Sequence, residues 1–296
     1  MDDEQLMSGY RAEILEIIKQ FRLIDDTFMS KVFEDKECAE LLLKIILDRD
    51  DLKVIKAVPQ LEFKNLQGRS TRLDIYAIDA DGKQYDIEVQ RDSDGAVSRR
   101  ARYNSSLMDA NILDKGNDVK TLPECYVIFI TESDVMKGGK PIYTIERTVK
   151  ELEHASFGDG SHIIYVNGEN RDDTAIGKLM QDFFCSDAEK MNYEILSKRA
   201  GNLKGNSGEV DTMCKLVEDF AKKYSQAAVD KANEEAAKAN EEAAKANEEA
   251  AKATEKQSKL IAVELWDDGI RDVERIARLT RLPLDEVRKM FEGKSA

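Results

Sequence analysis

The stretch 72-RLDIYAIDADGKQYDIEVQ-90 decides the fold, because it has the pattern of a β-hairpin with acidic residues inside both strands. Its DADG turn ends on Gly82, a residue type that readily adopts the positive φ of tight turns. Asp74, Asp86 and Glu88 lie within the strands, where acidic residues are usually depleted. A specific role for these carboxylates is therefore expected.

The hairpin places polar and apolar residues on opposite faces. Folding about residue 81 sets Asp74 opposite Glu88 and Arg72 opposite Gln90. Because side chains two residues apart in a strand share a face, these four side chains are expected to converge. The residues between them are expected to face a core: Leu73, Ile75, Ala77, Ile87 and Val89.

The acidic face suits a divalent cation. Two carboxylates that face each other repel, and a pKa rises unless a positive charge compensates. Mg²⁺ and Mn²⁺ prefer oxygen ligands, and Mg²⁺ typically binds one or two carboxylates together with water and phosphate. The alternative is a solvated hairpin face on which Arg72 neutralises one acid. Asp86 lies nearer the turn, opposite Tyr76, and we treat it as peripheral.

The segments around the hairpin predict a mixed sheet flanked by helices. Apolar residues recur with helical spacing in residues 5–24, 25–49, 94–113 and 174–200. Apolar runs predict strands in LEFKN (61–65), CYVIFITES (125–133), PIYTIERTV (141–149) and HIIYVNGE (162–169). This order of elements predicts an α/β or α+β domain in three layers.

An exact seven-residue repeat, KANEEAAKANEEAAKANEEAAKA, occupies residues 231–253. Its alanines alternate in steps of four and three residues, which is the a/d seam of a coiled coil. Glu234 precedes Lys238 by four residues, the favourable order for an ion pair, and this spacing recurs in each heptad. The repeat predicts a helix. Because alanine buries little area, a single solvated helix and self-association are equally supported.

The last residues predict a small helical tail that resembles a helix-turn-helix. Gly269 ends its first helix, and Pro283 suits the first turn of its last helix. A small core is predicted from seven apolar residues: Leu265, Ile270, Val273, Ile276, Leu279, Leu282 and Val287. A basic surface is predicted from six cationic residues: Arg271, Arg275, Arg278, Arg281, Arg288 and Lys289. This tail has two interpretations. It either recognises DNA or serves as a helical cap or dimerisation element.

Composition excludes several kinds of chemistry. The four cysteines are far apart and there are only two histidines, so neither a zinc site, a redox motif nor a Ser-His-Asp triad is indicated. The net charge of -14 argues against non-specific binding of nucleic acid unless a local basic patch or a bound cation overrides it. No apolar run is long enough to span a bilayer and no secretion signal is present, so a cytoplasmic protein without membrane partners is expected.

The hairpin and the helix after it resemble the PD-(D/E)XK nuclease superfamily. The motif comprises Asp74, Glu88-x-Gln90, Arg99, Arg102 and Tyr103. With the opening DDTFMSKVF and the buried CYVIFITES, the chain is similar, over roughly residues 20–190, to the recombination-promoting nuclease/transposase family of bacteria. The resemblance implies a restriction-endonuclease-like core at residues 1–200, followed by a heptad-repeat linker at 201–258 and the tail at 259–296.

The resemblance implies metal-assisted phosphodiester hydrolysis of DNA. Asp74, Glu88 and the Val89 carbonyl would hold Mg²⁺ or Mn²⁺, and Asp74, Glu88 and Gln90 would be catalytic. An acid on the upstream helix often completes such a site, and Glu34 and Glu40 are both candidates. Arg99, Arg102 and Tyr103 would contact phosphates, unless they are ordinary surface residues of an amphipathic helix.

Two departures from the motif matter. Leu73 stands where the superfamily has proline, and Gln90 stands where it usually has lysine. Glutamine can orient a water molecule but brings no charge, so we expect Arg72 to supply the missing positive charge beside Gln90 and to bind DNA. The competing functions are a nuclease fold that only binds DNA or protein, and a scaffold that acts through the heptad helix and tail.

Overall fold

The computed structural model describes residues 3–65, 68–206 and 209–293. Contacts divide the chain into two compact units, Met1–Ala221 and Lys222–Ala296. The three-part division at residues 200 and 258 stays a prediction. No helix within the described ranges combines the length and the apolar composition that crossing a bilayer requires.

The described part of the first unit contains two sheets. The strands in chain order are β1 (Val54–Phe63), β2 (Thr71–Asp79), β3 (Gln84–Gln90), β4 (Cys125–Thr131), β5 (Ile142–Ile145), β6 (Thr148–Val149), β7 (Ala155–Ser156) and β8 (Ser161–Asn167). The six-stranded sheet has the order β1-β2-β3-β4-β8-β5, and β6 pairs with β7. β3, β4 and β8 are parallel neighbours, whereas β1, β2 and β5 run antiparallel to theirs. The predicted mixed sheet is confirmed.

Helices cover both faces of this sheet. They are α1 (Asp3–Gln20), α2 (Asp26–Val32), α3 (Lys36–Leu47), α4 (Ser98–Ile112), α5 (Ala175–Phe184), α6 (Glu194–Gly201) and the start of α7 (Glu209–Asp267). One face packs against α1, α2, α3, α5 and α6, and the other face packs against α4. The predicted α+β architecture, with helices flanking a central sheet, is therefore confirmed.

Two apolar cores lie on the two faces of the sheet, a larger one under α1, α2, α3, α5 and α6 and a smaller one under α4. The hairpin contributes to both cores. Its aliphatic residues Ile75, Ala77, Ile87 and Val89 lie in the larger core, as predicted. Leu73 was expected with them, but it packs in the smaller core under α4. Leu73 still pairs with Leu61 of β1, but Gln60, between the paired residues Pro59 and Leu61, has a positive φ of 56°, and this irregularity lies where the alternation of β2 changes face.

Several predicted elements have different limits. β1 begins at Val54 rather than Leu61, even though Pro59 lies inside it. β1 is an edge strand, where a missing backbone N–H removes no essential ladder bond. The helical region predicted at 25–49 is two helices, because the Asp35 side chain accepts from the Glu37 amide and begins α3.

The second unit contains the end of α7, α8 (Val273–Thr280) and α9 (Leu284–Phe291). Its core matches the prediction at Ile276, Leu282 and Val287, which are buried. The inclusion of Leu279 was wrong, since 58% of that residue is exposed beside the buried face of α8. Trp266 and Phe291, which the sequence prediction missed, stack with ring centroids 4.2 Å apart.

The heptad segment is helical, as the repeat predicts. Its described alanines are exposed. Ion pairs of 2.5 Å join Glu241 to Lys245 and Glu248 to Lys252. The first predicted pair involves Glu234, whose side chain lies outside the described residues. The four cysteines are free thiols, and Cys38, Cys125 and Cys214 are buried.

Candidate functional site

The hairpin is paired near its turn and separates at its acidic end. Tyr76 pairs with Asp86, which is the register expected for folding about residue 81. Beyond the end of the ladder, the Val89 amide donates a hydrogen bond of 3.0 Å to Asp74 Oδ2. The Asp74 side chain thus replaces a backbone partner at the open end of the hairpin.

Asp74, Glu88 and Gln90 meet at this open end. The Gln90 Nε2 donates to Asp74 Oδ2 at 3.4 Å and to Glu88 Oε2 at 3.3 Å. The Gln90 carbonyl accepts from the Glu132 amide on the β4 side. Because successive residues of a strand direct their backbone groups to opposite neighbours, the Val89 carbonyl is directed toward β2. The geometry therefore brings the Val89 carbonyl to the same side as Asp74.

A different arginine from the predicted one supplies the positive charge. The Arg100 guanidinium forms an ion pair with Glu88 Oε2 and donates to Gln90 Oε1 at 3.2 Å. Arg72, which was expected beside Gln90, is exposed on β2. Strand parity describes neighbours within the hairpin, whereas Arg100 reaches Gln90 from α4. The charge of Arg72 acts on Asp26, where it opposes the rise in pKa, and the role of Arg72 at the site stays a prediction.

Asp86 is part of the acidic cluster rather than peripheral to it. Asp86 and Glu88 are both fully buried. The buried Asn104 amide donates to Asp86 Oδ2 at 2.9 Å and to Glu88 Oε1 at 3.3 Å. Asp86 Oδ1 has no hydrogen-bond partner among the described residues. Sequence reasoning missed this arrangement, since α4 covers the hairpin and places Asn104 between the two acids.

The buried carboxylates have raised pKa values. Burial, followed by the charge of Glu88, raises the pKa of Asp74 to about 7. Burial, followed by the charge of Asp86, raises the pKa of Glu88 to about 8, although Arg100 opposes the shift. Burial raises the pKa of Asp86 to about 7, although its hydrogen bond from Asn104 opposes the shift. Burial therefore disfavours the charged form of all three carboxylates.

Asp26, at the start of α2, is an upstream acid whose charge acts on this cluster. The charge of Asp26 contributes to the raised pKa of Asp74. The pKa of Asp26 is itself raised by burial and by Asp25. The two candidates from the sequence are engaged elsewhere: Glu34 pairs with Lys31, and Glu40 pairs with Lys44. The signal in the sequence was the pair of consecutive aspartates, Asp25 and Asp26, at the start of a helix. Only one of them can be the N-cap residue, so the other is available to the site.

A cleft of about 400 Å³ opens beside the cluster. Its lining comes from α2, the end of β3 and the start of α7, and consists of Phe21, Asp25, Asp26, Thr27, Val89, Gln90, Arg91 and Val217. The cleft places Gln90 and Asp26 at an opening to solvent. Solvent therefore reaches this side of the carboxylate cluster.

The three predicted phosphate contacts on α4 differ in accessibility. Arg99 and Arg102 are exposed. The Tyr103 hydroxyl donates to the Arg69 carbonyl and accepts from Asn65 Nδ2 at 3.1 Å, so it holds the segment between β1 and β2. The structure thus leaves the two arginines open to a ligand and gives Tyr103 a local structural role.

The donor set fits a hard divalent cation. Asp74, Glu88 and the Val89 carbonyl supply oxygen, and the orphaned Asp86 Oδ1 shows that the local negative charge is not fully satisfied. Within the described ranges, no three Asp, Glu, His or Cys side chains form a preassembled metal cluster. Mg²⁺ needs only one or two carboxylates when water and phosphate complete its coordination, so the set is sufficient.

For the phosphodiester hydrolysis that the resemblance implies, replacing Gly95 by alanine is expected to reduce the cleavage rate about 10- to 100-fold with little loss of stability. The new Cβ would lie 2.1 Å from Gln90 Oε1, so the Gln90 amide must move away from Asp74 and Glu88. Because that amide is the end of a flexible side chain, the fold itself is expected to tolerate the change. The measurement is the single-turnover cleavage rate together with the melting temperature.

Gly201→Ala is the matched control, since its Cβ would meet only Ala188, at an ordinary contact distance of 3.9 Å. Wild-type cleavage by both variants would show that the position of the Gln90 side chain does not matter.

One comparison with known proteins gives a match. The family model for PD-(D/E)XK nuclease family transposases matches residues 28–181, which is just over half of the chain. The match includes Asp74, Glu88, Gln90 and Arg100, whereas Asp26 lies just before it. No curated protein and no solved structure matches the chain significantly.

Proposed function

The chain belongs to the PD-(D/E)XK nuclease family transposases, and on that basis we propose that it is a divalent-cation-dependent DNA endonuclease that hydrolyses phosphodiester bonds. The observation that carries the proposal is the convergence of Asp74, Glu88 and Gln90 at the open end of the hairpin. The biological setting that we propose is recombination or the movement of mobile elements in the bacterial cytoplasm.

Asp74, Glu88 and the Val89 carbonyl are proposed to hold Mg²⁺ or Mn²⁺, with Asp26 as the upstream acid. The bound cation would lower the pKa of a water molecule and stabilise the negative charge that develops on the phosphate. The Gln90 amide already reaches both carboxylates, and we assign it the orientation of the attacking water. Gln90 is neutral, so it does not balance charge as a lysine would.

DNA binding is proposed to depend on local positive charge. Arg72, Arg99 and Arg102 are exposed on β2 and α4 and are assigned to phosphate contacts, with Tyr103 acting through the segment that it holds. The overall charge of -14 repels DNA, so these arginines and the bound cation must supply the attraction. Binding is therefore expected to weaken steeply as salt rises.

The same fold without catalysis, as a module that binds DNA or protein, is the second candidate. The observation in its favour is Gln90 in place of the usual lysine. Against it, both acids are present, Glu88 is fully buried and Asp74 is half-buried, and burying charged groups without a function is costly. Retention of Asp74 and Glu88 therefore favours the nuclease.

The test is incubation of the full-length protein with labelled DNA and RNA of the same sequence in Mg²⁺, Mn²⁺, Ca²⁺ or EDTA. We expect cleavage of DNA in Mg²⁺ or Mn²⁺ and none in EDTA. A gel shift with Ca²⁺ but no cleavage with any cation would support the binding module instead. Cleavage that is equally fast in EDTA would overturn the proposed role of the cation.

Deleting one heptad, residues 238–244, is expected to leave cleavage within about twofold of wild type, because seven residues are two helical turns and the phase of the helix is kept. The heptad helix is proposed as a spacer, either solvated or paired with a second copy. The measurement is the cleavage rate of the deletion variant on a short duplex, with its mass in solution determined by light scattering.

Deletion of residues 238–241 is the matched control, since four residues shift the alanine seam out of phase. A tenfold loss of cleavage on removing the full heptad would instead show that the helix sets a catalytic distance.

A further inference from the structure

Arg100 occupies a central position in the carboxylate cluster. It lies in the first turn of α4, and its guanidinium contacts three groups at once. One nitrogen pairs with Glu88 Oε2, and the other donates to Gln90 Oε1 at 3.2 Å and to the Gly95 carbonyl at 3.1 Å. Arg100 thus bridges the acid of the motif, the residue that replaces its lysine, and the turn before α4.

The pairing is needed because Glu88 is buried. The Glu88 side chain is fully buried, whereas a third of the Arg100 side chain is exposed. An ionised carboxylate without a partner in such a position is strongly unfavourable. Both Glu88 oxygens have donors, since Asn104 contacts Oε1, and Arg100 and the Gln90 amide both contact Oε2. A cation that binds Glu88 must therefore displace one of these donors or share an oxygen with it.

Arg100 is the donor that a cation bound to Glu88 would displace. Asn104 is fully buried, its Nδ2 donates to Asp86 as well as to Glu88, and its Oδ1 accepts from the Thr71 hydroxyl. Arg100 has a long flexible side chain and is partly open to solvent. Two positive charges next to one carboxylate also repel each other, whereas the neutral amide of Asn104 does not repel a cation. The Gln90 amide is neutral as well, so the charge singles out Arg100 among the three donors, and the packing further excludes Asn104.

We infer that the Arg100 guanidinium neutralises Glu88 in the metal-free protein and competes with the divalent cation for that carboxylate. The inference rests on the proposed function, because it requires that a divalent cation bind Glu88. Once displaced, Arg100 remains in the first turn of α4 and pairs with the DNA phosphate, for which a guanidinium is well suited. Arg100 thereby brings to the phosphate the charge that Gln90 lacks.

The test is calorimetric titration of the metal-free full-length protein with Mg²⁺ at pH 9, where protons compete least with the cation. We expect Arg100→Gln to bind Mg²⁺ about tenfold more tightly than wild type, and to cleave DNA more slowly. An affinity within twofold of wild type, or a weaker one, would overturn the inference. A merely structural role for Arg100 predicts weaker binding, so the sign of the change distinguishes the two roles.

Arg147→Gln is the matched control. Arg147 also pairs with a carboxylate, that of Asp159, but the pair lies between β5 and β8 and away from the hairpin site. Its removal changes the net charge by the same amount, so we expect no change in Mg²⁺ affinity. An equal gain in both variants would show a general charge effect and would overturn the specific competition by Arg100.

Asp74→Asn separates the inference from the proposed function. If wild type binds Mg²⁺, Asp74→Asn does not, and Arg100→Gln binds as wild type does, the inference fails while the proposed cation site stands. If none of the proteins binds Mg²⁺, both fail. Tight binding only in Arg100→Gln supports competition directly.

Melting curves keep the test decisive if Arg100→Gln folds poorly. We expect that variant to melt at a lower temperature than wild type in EDTA and to gain more from saturating Mg²⁺. Arg100→Lys keeps the charge but cannot form the same three contacts, so its Mg²⁺ affinity is expected to lie between those of wild type and Arg100→Gln. A Mg²⁺ affinity of Arg100→Lys equal to or below that of wild type would overturn the inference without need of the glutamine variant.

Discussion

Replacing Asp74 by asparagine is expected to reduce cation-dependent cleavage at least 100-fold and to make the metal-free protein more stable. The two effects have opposite signs because the carboxylate that binds the cation is costly to bury. Burial and Glu88 raise the pKa of Asp74 to about 7, so its charge is disfavoured in the folded protein. Asparagine keeps an oxygen for the Val89 amide but removes that charge.

The measurements for Asp74→Asn are the cleavage rate on a labelled duplex and urea unfolding in EDTA at pH 8. We expect a stability gain of about 1–3 kcal/mol. Asp109→Asn is the control, because Asp109 also has a pKa raised by burial but lies further along α4, near Cys125. A variant that loses both activity and stability would show that Asp74 is a structural residue.

The stability of the metal-free protein is expected to fall by about 3 kcal/mol or more as pH rises from 5 to 8. Burial raises the pKa values of Asp74 and Asp86 to about 7 and that of Glu88 to about 8. Between these values and their usual range near 4, the folded protein holds protons that the unfolded chain has released. Stability is therefore present at low pH and is lost as pH rises through the folded values.

Acids whose pKa values are lowered in the folded protein change its stability outside the interval from pH 5 to 8. The pKa of Glu124, for example, is lowered by its hydrogen bond to Lys83, so its contribution is lost only as pH falls below the usual range. The measurement is urea unfolding in EDTA at pH 5, 6.5 and 8. Saturating Mg²⁺ is expected to restore stability at pH 8, and Asp74→Asn is expected to flatten the dependence. A stability that is constant or rises from pH 5 to 8 would contradict the buried acidic cluster.

Local pattern predicted the hairpin well. Alternation and the DADG turn fixed the pairing of Tyr76 with Asp86, and parity placed Asp74, Glu88 and Gln90 on one face. These features depend on neighbours within about 20 residues, so the sequence carries them directly. The family resemblance added the fold around the hairpin, and the match at residues 28–181 agrees with it.

Contacts between elements were the part that local pattern could not supply. The burial of Asp86 depends on Asn104, and the charge beside Gln90 comes from Arg100, both on α4. Asp26 approaches the site from α2. In each case the decisive partner is on a helix whose crossing over the sheet is set by long-range packing, which periodicity within one segment does not encode.

The central claim is that Asp74 and Glu88 form a cation-dependent nuclease site, and a plasmid-nicking assay tests it most directly. Supercoiled plasmid is incubated with wild type or Asp74→Ala in Mg²⁺, and with wild type in EDTA, after melting curves show that both proteins are folded. We predict relaxed and linear DNA only with wild type in Mg²⁺. Cleavage that persists in Asp74→Ala would contradict the claim.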